Sequence, residues 1–263
     1  MLDAVKGSHG MLRSTNPSQV FPVSLVDVGT RALHGAPRTT LNARPRRSGP
    51  LVGALAQTTT FHQAEIGQVG GHSYSRVSNP SVDELEVALG AIEDAPPAVA
   101  FGTGLAAETA LFLALLRAGD HAVVGEAIYG GTTRLFRQVL NELGISATFV
   151  NATDVASIER SITARTKLVF IETPANPSLQ LTDIAAVAAA CRRAAAALNI
   201  DAPKLAVDNT FLTPVVQRPL ELGADISVYS TTKLIEGHSA ACGGAITSHD
   251  EALIQRIRWI RKC

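Results

Sequence analysis

Lys233 closes the segment Tyr229-Ser230-Thr231-Thr232-Lys233, where an apolar stretch gives way to three hydroxyls and an amine. An amine held at the end of a buried strand sheds its proton more readily, which imine formation with a carbonyl requires, and Ser230, Thr231 and Thr232 offer hydroxyls to phosphate oxygens. The plainer reading is a lysine that snorkels to the surface. Asp208 ends the apolar run Lys204-Leu-Ala-Val207, so its charge needs either a cation such as a pyridinium nitrogen or the backbone donors of a turn. Tyr129, before Gly130 and Gly131, offers a ring that could lie flat on a heterocycle or simply fill the core.

Gly102-Thr-Gly-Leu-Ala-Ala-Glu108 follows Phe101 and opens a helical pattern, so the backbone at Gly104 and Leu105 suits a phosphate at a helix N-terminus. The same residues satisfy a loose dinucleotide-binding pattern with Glu126 as the ribose acid, or form a tight turn without a ligand. Tyr74 and Arg76, in Ser73-Tyr-Ser-Arg-Val-Ser-Asn-Pro-Ser81, share one side of an extended segment, and the Arg76 fork suits a phosphate. A phosphate loop, a stacking ring, an acid and a lysine at successive strand ends together fit one phosphorylated aldehyde cofactor.

Ligands of an open α/β sheet lie at the carboxyl ends of its strands, so the intervening elements must form such a sheet. Short apolar runs predict strands at 98–101, 121–124, 146–150, 167–171, 204–207 and 225–229. Helical spacing predicts helices after Ser81 and Glu84, over 105–116, 132–143 and 183–198, and after Ser248 and Glu251, with those Ser/Glu pairs as capping boxes. The fold class is therefore α/β, with a mostly parallel sheet covered by helices. Residues 1–60, punctuated by Pro17, Pro22, Pro37, Pro45 and Pro50, read as an extended arm. Residues 61–248 read as the ligand-binding domain and 249–263 as the start of a linker helix.

Composition excludes several classes. The 263 residues suffice for a buried core, and 23 basic against 23 acidic side chains give no basic footprint for nucleic acid. No apolar run approaches the roughly 18 residues that span a bilayer. Three dispersed cysteines, without CxxC or HExxH, predict neither a disulfide framework nor a metal site and fit a cytoplasmic chain. Arg31, Arg38, Arg44, Arg46 and Arg47 in an acid-free stretch leave a transit peptide as the lesser alternative to a surface arm.

From Thr30 onward the ordered segments QTTTF, YSRVSNPS, GTGLAAE, YGGT, ETPANPSL, VDNTFLTPVVQRPLELGAD and YSTTKLIEGHSAACGG resemble the pyridoxal phosphate enzymes of cysteine and methionine metabolism. That family includes cystathionine γ-synthase, cystathionine lyases and homoserine-ester sulfhydrylases. The resemblance implies the large domain of fold-type I pyridoxal phosphate enzymes. It also implies an amino-acid substrate that undergoes γ-replacement or elimination, and a homotetramer of dimers with shared sites. Residue by residue it implies Lys233 as the imine-forming lysine and proton shuttle, Asp208 as partner of the ring nitrogen, and Tyr129 as the stacking, catalytic ring. Gly104, Leu105, Ser230 and Thr232 would cradle the phosphate, and Asn176 would lie near the phenolic oxygen. Tyr74 and Arg76 would reach the phosphate of a neighbouring subunit.

This chain departs from the family pattern in several places. Thr103 and Leu105 replace Ser and Met, Gly131 stands where methionine γ-lyases carry cysteine, and Tyr229 replaces the commoner histidine. The family's C-terminal domain, with its carboxylate-binding arginine, is expected to be missing after Cys263. A nicotinamide-dependent oxidoreductase built on GTGLAA, and a non-catalytic fragment, are the competing readings.

Overall fold

The computed structural model of the chain describes Val28 and residues 53–67 and 70–263, and within them the apolar runs assemble into one seven-stranded sheet. The arm and the arginine-rich stretch expected before residue 53 lie almost wholly outside the described residues. Helix α1 (Pro80–Ile92) precedes β1 (Val99–Phe101), α2 (Gly104–Leu115), β2 (His121–Gly125) and α3 (Gly130–Arg134). Beyond Arg134 the helix widens to π-type bonding over Leu135–Leu140, then β3 (Ser146–Val150), α4 (Val155–Ser161) and β4 (Thr166–Glu172) follow. The remaining elements are α5 (Ile184–Leu198), β5 (Lys204–Asp208), α6 (Thr213–Val216), β6 (Ile226–Tyr229), β7 (Gly244–Ser248) and α7 (Glu251–Lys262).

The strand order is β1-β7-β6-β5-β4-β2-β3. From β3 to β6 every pairing is parallel, while β7 runs antiparallel to both β6 and β1. Register matters most between β4 and β5, where Glu172 pairs with Asp208 and brings two acids level at the carboxyl ends. One face of the sheet buries Phe112, Phe136 and Phe170 beneath α2, the widened helix and α7. Those rings lie 4.6 and 5.1 Å apart, in contact distances that favour tilted aromatic pairs. The other face packs Val169, Ile171 and Val207 against Ile158 of α4 and the small side chains of α5, among them Ala188 and Cys191.

Helix starts differ in detail from the sequence expectation. Asn79, not Ser81, caps α1 by accepting from the Ser81 amide at 2.9 Å, while the Ser81 hydroxyl accepts from Ala56 N in the preceding extended segment. Asp250, not Ser248, caps α7 by accepting from Leu253 N at 3.0 Å, because Ser248 is the last residue of β7. Strand β7 and the short helices α4 and α6 were not expected. β7 is buried throughout and shows no alternation, so a run of Gly, Ala, Ile, Thr and Ser carries no strand period.

α7 is tied down by charge as well as by Leu253, Ile254 and Ile257. Arg258 and Arg261 both pair with the buried Glu86 of α1, which also accepts from Ala100 N of β1 at 2.9 Å. Removing Glu86 would leave the Ala100 amide without its acceptor and both guanidiniums without a counter-charge, held only by the carbonyls of Pro97, Ala98, Ala100 and Val77. Glu86→Ala is therefore expected to destabilise the chain by about 3 kcal/mol or more, as breaking a buried ion pair does, measured as a lowered urea midpoint. A loss under about 1 kcal/mol would mean that the backbone carbonyls alone hold the arginines.

Candidate active site

The carboxyl ends of the strands surround a cavity of about 360 Å³. Eight of the ten residues that the family resemblance singles out line it: Gly104 and Leu105, Tyr129, Asn176, Asp208, and Ser230, Thr232 and Lys233. They arrive on five different strand-to-helix or strand-to-turn connections, so the topology itself produces the convergence.

At one end α2 begins behind Thr103, whose hydroxyl accepts from Ala106 N at 3.0 Å. The helix start is pressed so close to β6 that a Cβ at Gly104 would meet Ser230 Cβ at 2.8 Å. The free N–H groups of this helix end face the cavity and suit an anion. Ser230 is fixed in turn by its amide, which donates to Thr210 Oγ1 at 2.8 Å. The Thr232 hydroxyl is held in the turn by Gly243, accepting from its amide at 2.9 Å and donating to its carbonyl at 3.2 Å.

Three carboxyls face the other end. Asp208 is buried and accepts from Thr210 N at 2.9 Å. Glu172 accepts from Tyr129 N at 2.6 Å and from Asn176 N at 2.9 Å, so one side chain sets two loops of the wall. Glu108, one helical turn inside α2, accepts from Thr132 Oγ1 at 2.6 Å and thereby holds the start of α3. Burial first, and then the neighbouring Asp208 charge, push Glu108 up to about 8 and Glu172 up to about 7. Asp208 is raised too, by burial, against the pull of its Thr210 hydrogen bonds. Lys233 is the one basic side chain lining the cavity among the described residues. An acid-rich wall of this kind is complementary to a cationic ring nitrogen.

Glu108 and Glu172 carry no role in the sequence reading. The available signal for Glu108 was an acid at a core position of an otherwise apolar helix; for Glu172 it was an acid ending a buried strand beside the one that Asp208 ends. Tyr129 is half exposed above the cavity, and a Cβ at Gly131 would run into its ring, so the glycine gives the ring its place.

Two expectations are corrected. Strand β6 stops at Tyr229, so Lys233 sits in the following turn and is exposed rather than desolvated at a strand end. Thr231 is buried and lines a different cavity, so only Ser230 and Thr232 bring hydroxyls to this one. Glu126, the ribose acid of the dinucleotide reading, is exposed and absent from the cavity wall. Tyr74 and Arg76 also stand outside it. The Arg76 guanidinium lies 5.6 Å from the Tyr74 ring centroid and donates to the carbonyl of Lys262. Among the described residues no helix is long and apolar enough to cross a membrane.

Residues 38–263 match the family model of the Cys/Met metabolism PLP-dependent enzymes. A probable cystathionine gamma-synthase of Herpetosiphon aurantiacus is 39% identical over 81% of this chain and 65% of that protein. Human cystathionine gamma-lyase is 42% identical over 81% of this chain and 51% of that protein. The crystal structure of metB from Corynebacterium glutamicum superposes with a TM-score of 0.82 at 35% identity, covering 91% of this chain and 60% of that one. The chain thus spans between 51% and 65% of the length of these relatives.

The carboxyls predict a pH dependence without any ligand. A raised native pKa means that protons bound in the folded state are lost on unfolding, so stability falls as pH rises from the ordinary glutamate value through about 7 and 8. Thermal midpoints of the ligand-free chain are expected to drop between pH 5 and 8, and to drop less in Glu108→Gln. Equal slopes for the two chains would show Glu108 ionised throughout.

Proposed function

The chain belongs to the Cys/Met metabolism PLP-dependent enzymes, and from that membership we propose that it serves trans-sulfuration, with γ-replacement or elimination on cystathionine or a homoserine ester. The observation that carries this reading is the convergence of a helix N-terminus, three buried carboxyls, a tyrosine ring and Lys233 on one cavity. The residues present fit pyridoxal 5′-phosphate: the close approach of Gly104 to Ser230 makes a backbone cradle for phosphate, and the acid wall suits a protonated pyridine ring. When bound, that group supplies an electrophilic carbonyl carbon and a ring that draws electrons from the substrate's α carbon.

This chain's residues supply the rest. Gly104 and Leu105 offer their amides, and Ser230 and Thr232 their hydroxyls, to the phosphate. Asp208 would serve the ring nitrogen, Asn176 the phenolic oxygen and Tyr129 the ring face, all three lining the cavity. Lys233 would hold the group through its Nζ and would serve as the base that accepts the substrate's α proton and returns it. Its exposure in the turn leaves it free to move between those positions. Residues 61–248 act as the cofactor-binding domain. Tyr74 and Arg76, turned away from their own cavity and stacked on each other, are suited to the phosphate of a neighbouring subunit in a cytoplasmic dimer of dimers.

Adding pyridoxal phosphate to the purified chain is expected to produce a visible absorbance band. Borohydride should then fix the cofactor on the peptide that holds Lys233. Lys233→Ala should give no band, and a band of unchanged position and strength would overturn the assignment. In Gly104→Ala the added Cβ displaces Ser230, and cofactor affinity is expected to fall about tenfold, the loss of one charged hydrogen bond. Turnover of cystathionine or a homoserine ester is the expected activity. A chain that binds the cofactor and turns over neither would be a cofactor-binding fragment.

A further inference from the structure

Tyr229 stands next to Ser230 in sequence yet does not line the cavity. Its fully buried ring packs with Leu89, Ala98 and Ala245, and its phenol donates to Glu93 Oε1, on the residue that caps the end of α1. Asn209 Nδ2 approaches the same phenol at 3.4 Å and donates to the carbonyl of Gln217 at 2.6 Å. Gln217 Nε2 completes the chain, donating to Asn209 Oδ1 at 2.9 Å and to the carbonyl of Thr173 at 3.0 Å. Three members of this chain are sequence neighbours of cavity residues: Tyr229 of Ser230, Asn209 of Asp208, and Thr173 of Glu172. Fixing one set therefore fixes the strand ends from which the other set projects.

Glu93 is an unusual anchor for such a chain. It is fully buried, and its Oε2, like Ser227 Oγ and Thr247 Oγ1, has no hydrogen bond of ordinary geometry. Ser227 and Thr247 face each other across β6 and β7. The charged groups that act on Glu93 are Arg218 and Glu221, which pair with each other at 2.9 Å, so no cation is committed to Glu93. Burial, opposed by the Ser227 hydroxyl, Arg218 and the Thr247 hydroxyl, pushes Glu93 up to about 7.

We propose that Glu93 and Tyr229 are a proton-holding positioning pair, in which the neutral Glu93 carboxyl fixes the Tyr229 phenol and, through Asn209 and Gln217, the cavity wall at Asp208, Glu172 and Ser230. The neutral acid accepts from Tyr229 with one oxygen and donates from the other to the Ser227 or Thr247 hydroxyl. The ionised form leaves a buried charge without a partner cation and loosens the chain of bonds. The pair's effect on the cofactor rests on the proposed function; its titration does not.

Glu93→Gln separates the two, because the amide keeps an acceptor for Tyr229 and a donor for the hydroxyls but has no proton to lose. Two readouts apply to the full chain: thermal midpoint without ligand, and the pyridoxal phosphate dissociation constant from absorbance, each between pH 6 and 8.5. Glu108 and Glu172 titrate in both chains, so the difference isolates Glu93. At pH 6 the variant is expected to bind within about twofold of the wild type, since its hydrogen bonds are kept, and at pH 8.5 to bind more tightly and melt higher. Tyr229→Phe keeps the ring but strands the Glu93 and Asn209 groups, and is expected to weaken binding about tenfold at both pH values. Superimposable pH profiles of Glu93→Gln and wild type would overturn the proposal, as would wild-type affinity in Tyr229→Phe. Should Tyr229→Phe not fold, the Glu93→Gln comparison alone decides. A wild-type chain that binds no cofactor would overturn the proposed function, and the pair would then be judged on the ligand-free midpoints.

Discussion

Two acids that finish neighbouring parallel strands in register cannot both carry charge in a closed cavity without a partner. Glu172 and Asp208 are forced level by the pairing of β4 with β5, and α2 adds Glu108 to the same wall. Such a cluster survives folding only if protons, donors or a cation compensate it. The chain supplies donors from three of the connections around the cavity: the amides of Tyr129, Asn176 and Thr210 and the hydroxyl of Thr132. The loops are thus ordered by the need to satisfy the acids, and the position of Tyr129 follows from it. The compensation left over is what a cationic ring provides, so the cost of keeping the acids buried becomes a preference for the ligand.

The same constraint explains what was legible in the sequence. Strands covered on both faces read as short apolar runs, so their alternation with helices gave the α/β class and all but one strand. β7 escaped because a fully buried strand of Gly, Ala, Ile, Thr and Ser has neither alternation nor bulky branched residues throughout. Polar residues directly after the apolar runs proved to be the cavity wall, since a parallel sheet leaves its carboxyl ends open. The exposure of Lys233 was not legible: the strand ends at Tyr229 as its apolar run predicts, but whether the turn after it is covered depends on packing that no local pattern records. Glu108 reads as a stray acid in a buried helix until α3 is set beside it. Glu93 and Tyr229, which lie 136 residues apart, meet only through the antiparallel edge and α1.

Two glycines at the phosphate end mark where backbones are drawn together. Gly104 allows α2 to start against Ser230, and a Cβ at Gly244 would meet Thr103 O at 2.2 Å. The helix N-terminus is therefore clamped between β6 on one side and the first residue of β7 on the other. An anion there meets amides that are already fixed and loses little free energy to ordering them.

That clamp links the far helix to the chemistry. β7 is held at its outer edge by β1, and β1 by Glu86, which binds Ala100 N and both arginines of α7. Loosening Glu86 would free β1 and β7 to shift, and Gly244 could not move without Thr103 and Gly104 moving with it. The ion-pair cluster of α1 and α7 sits outside the cavity, yet it sets how firmly the phosphate end is built. The Glu93 pair does the same for the acid end from behind β5 and β6. Both ends of the site are thus braced by buried acids of a single helix, Glu86 midway along α1 and Glu93 at its close. The orientation of α1 against the sheet edge is therefore the variable on which the geometry of the whole cavity turns.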